Sequence, residues 1–352
     1  MKKDPSENMG LVAFLGSGET APSGGRLFET LAKQLPQPLR IAILETPAGF
    51  ELNSDQVAGR VGDFMRTRLQ NYAPLVDVVP ARKRGTPFSP DDPQILTPLL
   101  HADLVYMGAG SPSYAVRQLQ DSLAWQVFQA RHRLGATAVF ASAAVVAVGT
   151  SSLPVYEIYK VGEDVHVKPG LNFFGQYDLH LSFVPHWNNA EGGPDLDTSH
   201  CFVGRDRFEA WRAMLPADET IIGVDEHTAL IFNFSKCQCQ VSGVGGVTVL
   251  RGDDENFYPV GSNFDFDNLG ECGFPEPLEA GIPTQVWEMV RGATPPEAQE
   301  QIPSAEVLSL VEQRQKAREQ RDWEASDQLR DQIAELGWQV QDTPEGPKVV
   351  KS

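Results

Sequence analysis

Residues Ala136 to Gly149 read ATAVFASAAVVAVG. Ala138-Val139-Phe140 is an apolar run of the kind that fills a buried parallel strand. Ser142 follows, a lone hydroxyl between small residues, and Ala143 to Ala147 can wind into a buried helix. Strand, serine and helix with no loop residues between them predict a nucleophile elbow, a sharp turn that lifts the hydroxyl clear of the strand end. The amide after the serine then lies at a helix N-terminus, where it can hold a developing oxyanion. The competing reading is a strand and helix joined through a buried serine. The pattern G-x-S-x-G is met without its glycines, since Phe140 and Ala144 stand at those positions.

Upstream, the chain alternates strand and helix. Leu11 to Leu15 reads as a buried first strand and runs into Gly16-Ser17-Gly18-Glu19-Thr20-Ala21, a G-x-G-x-x-A match. Pro22, Gly24 and Gly25 push the expected helix start to about Arg26, too late to set its N-terminus on a pyrophosphate, so a dinucleotide site is not expected. Leu39 to Leu44, Leu75 to Val79 and Asp103 to Met107 read as strands, with a helix over Asn53 to Tyr72. This alternation predicts an α/β fold, a mostly parallel sheet covered by helices on both faces. The strand ending at Met107 meets Gly108-Ala109-Gly110-Ser111-Pro112, a small-residue turn able to supply a second oxyanion amide.

Downstream, Pro154 to Val161 alternates and reaches Gly162-Glu163-Asp164, which predicts a hairpin carrying Glu157 in a β segment. Leu181 to Val184 is a short strand that delivers His186 into a polar loop, the best-placed of the seven histidines. Phe202 to Leu215 reads as helix. Thr220 to Asp225, Ala229 to Phe234, Cys237 to Val241 and Gly246 to Leu250 read as short strands. Ser142, Glu157 and His186 follow one another in the order serine, acid, histidine, which is also the order of α/β-hydrolases.

The chain has 352 residues, 41% apolar and 22% charged, with a net charge of −18. That charge argues against a nucleic-acid-binding body and against anionic membrane surfaces. The first nine residues carry no apolar core, so no signal peptide is expected, and no apolar run approaches the ~18 residues of a membrane span. The four cysteines form no CxxC pair, and Cys237 and Cys239 are expected to share one face of a strand as buried thiols. A reduced, cytoplasmic protein without structural zinc is expected.

Residues 10 to 262 resemble the serine peptidases typified by cyanophycinase and aspartyl dipeptidase (dipeptidase E). The resemblance is carried by Gly108 to Leu119, Ala141-Ser142-Ala143, Pro185-His186-Trp187-Asn188 and Ile222-Gly223-Val224-Asp225-Glu226-His227-Thr228-Ala229-Leu230. It implies a fold like that of class I glutamine amidotransferases. Ser142 would be the nucleophile, His186 the base and Glu157, fifteen residues after Ser142, the acid that orients it. Gly110 and Ala143 would offer oxyanion amides, and the substrate class would be amides next to aspartyl groups. The family's elbow glycines are Phe140 and Ala144 here, and the bulk of Phe140 is expected to reshape the pocket.

The body is thus expected over residues 10–264. Residues 265–303, rich in Pro, Gly and acids, read as a linker with a short helical piece around Val286 to Val290. Residues 304–352 read as a helical hairpin. Ser304 caps a helix with Val307, Leu308 and Val311 on its apolar side, and Asp322 caps another with Ala325, Leu329, Ile333 and Leu336. The last piece, 305 to 352, resembles the extreme C-terminus of cysteinyl-tRNA synthetases. Nothing resembles that enzyme's catalytic domain, so ligase activity is not expected. Arg314, Arg318 and Arg321 form a basic stripe, read as a solvated face before an RNA contact.

The functional expectation is a serine-type hydrolase that cleaves an amide or peptide bond through an acyl-enzyme, with no metal or organic cofactor. The alternative is a catalytically silent binding module whose tail docks a partner. A small peptide or amide is the expected ligand, and a membrane is not.

Overall fold

The structure is a computed structural model that describes residues 9–293, 305–320, 322–343 and 346–351. It divides into two compact units, one ending at Ala293 and one beginning at Thr294.

In the first unit, β1 (Val12–Leu15) leads to α1 (Pro22–Ala32), β2 (Arg40–Leu44), α2 (Ser54–Arg68), β3 (Leu75–Val79), α3 (Thr97–His101) and β4 (Leu104–Met107). Then come α4 (Pro112–Leu119), α5 (Leu123–Arg133), β5 (Thr137–Ala141) and α6 (Ala143–Ala147). These helices start where their caps dictate: Ser111 Oγ accepts from the Tyr114 amide, and Ser122 Oγ from the Trp125 amide. Helix α1 starts at Pro22, not near Arg26, because proline at the first helical position needs no amide partner.

The chain continues through β6 (Ser151–Ser152), β7 (Lys168–Pro169), β8 (Leu181–Val184), α7 (Arg205–Arg212), β9 (Thr220–Val224), β10 (Thr228–Asn233), β11 (Gln238–Gly243), β12 (Gly246–Arg251), β13 (Asp254–Pro259), β14 (Asn263–Asp265) and α8 (Thr284–Gly292). The hairpin expected over 154–167 is not formed. Pro154 starts a helical turn, Ile158 donates to its carbonyl, and residues 157–161 close a single π-turn that ends at Gly162 with φ 83°. Glu157 therefore sits on that turn. Helix α7 starts later than expected because His200, Cys201 and Phe202 all have left-handed φ. Cys239 is buried in β11, but Cys237 precedes the strand and is exposed, so the two thiols do not share a face.

Eight strands form one sheet in the order β14-β11-β10-β1-β5-β4-β2-β3. From β1 to β3 neighbouring strands are parallel, and β10, β11 and β14 extend the sheet antiparallel. Both faces of the inner parallel strands β1, β5, β4 and β2 are buried, so successive residues face opposite clusters. Phe14, Met107 and Phe140 point to one cluster, shared with α5 and α8; Leu15, Tyr106 and Ala141 point to the other, under α1 and α2. A second sheet, β13-β12-β9-β8, pairs β8 and β9 in parallel.

The stretch expected to be a linker belongs in large part to this unit. Val286, Trp287 and Val290 of α8 are buried in its main cluster. Arg133 holds the preceding segment, its Nη1 donating to the carbonyls of Leu278 and Ala280 at 2.7 Å each.

The second unit comprises α9 (Ala305–Glu319), α10 (Trp323–Glu335), β15 (Trp338–Thr343) and β16 (Gly346–Lys351). Asp322 caps α10, accepting from the Ala325 amide, while Ser304 lies outside the described residues. The helical hairpin has a β-hairpin attached, which was not expected. Val307, Val311 and Ile333 form a small core completed by Leu310, Trp338, Val340 and Val349. Leu308 and Leu336 are exposed instead. Of the basic stripe, Arg314 is 3% exposed and the Arg318 guanidinium lies over Trp323, 5.7 Å from the ring centroid. Arg321 lies outside the described residues.

Candidate active site

Ser142 stands between β5 and α6 with φ 52° and ψ −122°. A non-glycine residue pays about 1–3 kcal/mol for such a conformation, and this sharp turn raises the side chain off the strand end. Neither missing glycine obstructs it. The Phe140 ring turns away into the core, 5.4 Å from Phe14 and 5.8 Å from Phe128 between centroids. Ala144 is buried, and its amide donates to the Gly108 carbonyl at 3.2 Å.

Parallel register brings the ends of three strands to one edge, with Ala141 opposite Leu15 and Met107 opposite Phe140. Gly16, the residue after β1, therefore lies beside Ser142. The Gly16 carbonyl accepts the His186 amide at 3.1 Å, and the Gly16 amide donates to the Thr228 carbonyl at 2.9 Å. The loop after β8 and the corner between β9 and β10 thus meet at the strand end that carries the serine.

There His186 Nδ1 and Glu226 Oε1 are 2.9 Å apart. Asn189 Nδ2 donates to the same carboxylate oxygen at 2.9 Å, and the Glu226 amide donates to Asn188 Oδ1 at 2.8 Å. Burial raises the Glu226 carboxyl, but hydrogen bonds from His186 and Asn189 more than offset it and hold the group below the ordinary carboxylate range. With Nδ1–H turned to the carboxylate, Nε2 is the nitrogen left to accept a proton. Among the described residues no hydrogen bond joins the Ser142 hydroxyl to the imidazole.

Glu157 is not the group on His186. Lys168 Nζ donates to Glu157 Oε1 at 2.6 Å, and this charged partner outweighs burial and keeps the carboxyl below its usual range. Sequence order pointed to the acid between serine and histidine, whereas the chain fold supplies one from beyond the histidine. The signal was present in the Gly223-Val224-Asp225-Glu226 segment.

Gly110 has φ 142°, and a methyl there would meet the Pro47 carbonyl oxygen at 1.9 Å. The Ser111 amide donates to that same oxygen, pinning the turn. Among the described residues neither the Gly110 nor the Ala143 amide donates to a backbone carbonyl, so both remain free to hold an oxyanion. Behind the turn, a cavity of about 200 Å³ is lined by Gly108, Ala109, Glu45, Arg60 and the buried Tyr106. The Gly16-Ser17-Gly18 loop receives the β9–β10 corner, with Ser17 Oγ accepting from the His227 amide at 3.0 Å.

This α/β body, with a serine at a strand-to-helix elbow, has the fold of a known peptidase. A crystal structure of a peptidase from an acI-B1 Actinobacterium superposes with a TM-score of 0.58 at 22% identity, covering 73% of this chain and 97% of that one. The tail is similar to another protein altogether. Residues 303–347 match the cysteinyl-tRNA ligase anticodon binding domain. The cysteine–tRNA ligase of Methanosarcina mazei is 53% identical over 53 residues, 15% of this chain and 11% of the ligase. That of Chlamydia abortus is 48% identical over 62 residues, 18% of this chain and 13% of the ligase. The chain therefore spans only a small part of the curated ligases it matches. No helix among the described residues is long and apolar enough to cross a membrane.

Proposed function

We propose that the protein is a serine-type hydrolase of amide or peptide bonds, acting through Ser142, His186 and Glu226. The observation that carries this is the His186–Glu226 pair hung on Gly16, beside a serine held at φ 52°. His186 Nε2 takes the hydroxyl proton as Ser142 Oγ attacks the carbonyl carbon. The Ala143 and Gly110 amides receive the oxyanion. The tetrahedral species expels the amine, which takes its proton from the imidazolium, and water repeats the sequence to release the acid. Glu226 holds the imidazole in the required tautomer and stabilises its charged form. The resemblance to aspartyl dipeptidases makes amides next to aspartyl groups the first substrates to try. Glu157, tied to Lys168, takes no step in the chemistry.

A fluorophosphonate probe tests this directly. Ser142 is expected to be labelled at neutral pH, with labelling abolished in Ser142→Ala and His186→Ala. Glu226→Gln is expected to slow it by about 10²-fold or more, because the imidazole loses its orienting charge, while Glu157→Gln leaves it within a few-fold. Folded protein that takes up no probe at Ser142 would overturn the reading and favour a silent binding module.

A further inference from the structure

His200, Cys201 and Phe202 have φ of 54°, 61° and 70°, three consecutive non-glycine residues in the left-handed region. Each costs about 1–3 kcal/mol, so the run persists only because its surroundings hold it. The His200 amide donates to Trp187 O, the Cys201 amide to His186 O and the Phe202 amide to Thr198 O. The run is therefore built onto the loop that carries the base, and its product is the placement of one ring. Phe202 lies 5.3 Å from the His186 imidazole between centroids, tilted by 48°. On its other flank is Tyr159, 6.0 Å away and 41% exposed.

Neither ring belongs to the apolar cluster beneath them, which is built from Val146, Leu153, Val155, Ile158 and their neighbours. Two aromatic side chains in contact with each other and partly open to solvent present an aromatic surface beside His186. Its side of the site follows from the chemistry: the imidazole passes its proton to the departing amine, so the leaving residue must lie against His186.

We propose that Phe202 and Tyr159 form the pocket for the leaving-group residue, and that it selects peptides whose departing amine belongs to an aromatic amino acid. The proposal rests on the hydrolase reading above and names part of its substrate.

Two measurements on the full chain test it. In the first, kcat/KM for aspartyl-phenylalanine is compared with that for aspartyl-alanine. A preference of about tenfold is expected for the aromatic peptide. Phe202→Asn removes the ring while tolerating left-handed φ, and Tyr159→Ala removes the second wall. Each is expected to shrink the ratio toward one, whereas damage that is merely structural lowers both rates alike and keeps the ratio. In the second, binding of phenylalaninamide and alaninamide is measured by titration calorimetry, with the aromatic amide expected to bind more tightly and Phe202→Asn to erase the difference. Equal kcat/KM for the two dipeptides, with Ser142 labelled by fluorophosphonate, overturns the proposal and leaves the hydrolase intact. Absent labelling sinks the hydrolase reading instead, and the amide titration then decides alone: equal affinities overturn the pocket.

Discussion

At Gly16 an added methyl would sit 2.0 Å from the Asp225 carbonyl oxygen. No side-chain rotation relieves a clash between two backbones. Gly16→Ala is therefore expected to push the β9–β10 corner and His186 apart, lowering fluorophosphonate labelling by about 10-fold or more and stability by about 2–4 kcal/mol. Unchanged labelling at an unchanged Tm would refute this joint. In the sequence Gly16 looked like part of a discounted nucleotide loop. The placement of Ser142 at a strand-to-helix turn and of His186 at a strand exit was legible because each has a local sequence signature. Glu226 was not chosen, because its partnership with His186 depends on β1 pairing antiparallel to β10. No local pattern announces that pairing, and Glu157 satisfied the chain order just as well.

Helix α5 shows the same limit among elements. Two of its last residues organise the back of the sheet. His132 is fully buried among the rings of Phe173, Tyr177 and Phe234. Burial drives its pKa down to about 3, and the Arg133 charge pushes the same way. The unfolded chain binds that proton near pH 6.5, so between 6.5 and about 3 it holds more protons than the native state. Stability should fall as pH drops through that window, by about 1.4 kcal/mol per unit from this group. Melting curves from pH 7 to 4 should show a slope that His132→Phe reduces; an identical slope in the variant would contradict it. Arg133 next to it ties the segment before α8 through the Leu278 and Ala280 carbonyls. Arg133→Met should therefore speed amide exchange in residues 278–292 before it affects β5, and uniform protection would count against that clamp. Composition marked this segment as linker because Pro and Gly lack side chains that pack. Its carbonyls are satisfied by an arginine about 145 residues away in sequence.

For the molecule as a whole, the parallel sheet was legible from strand–helix alternation. The β-hairpin at the end of the tail was not, because its alternation is short and interrupted by Pro344 and Gly346. The tail's match to an anticodon binding domain raises the question of tRNA. A net charge of −18 repels phosphate, and Arg314 is spent inside the tail. The full chain is expected to give no gel shift with tRNA at physiological salt; a clear shift lost in Arg318→Ala would reverse this.

Ser142 belongs to the large sheet, while His186 enters from the end of β8 in the small one and Glu226 from the corner that links the two sheets. A growing chain exposes Ser142 well before residue 226 has been made. On the mechanism proposed above, that serine is an ordinary alcohol until both sheets have closed on Gly16. Such an arrangement makes reactivity a late product of maturation, so partly made or partly unfolded copies of the protein carry the serine without the means to use it.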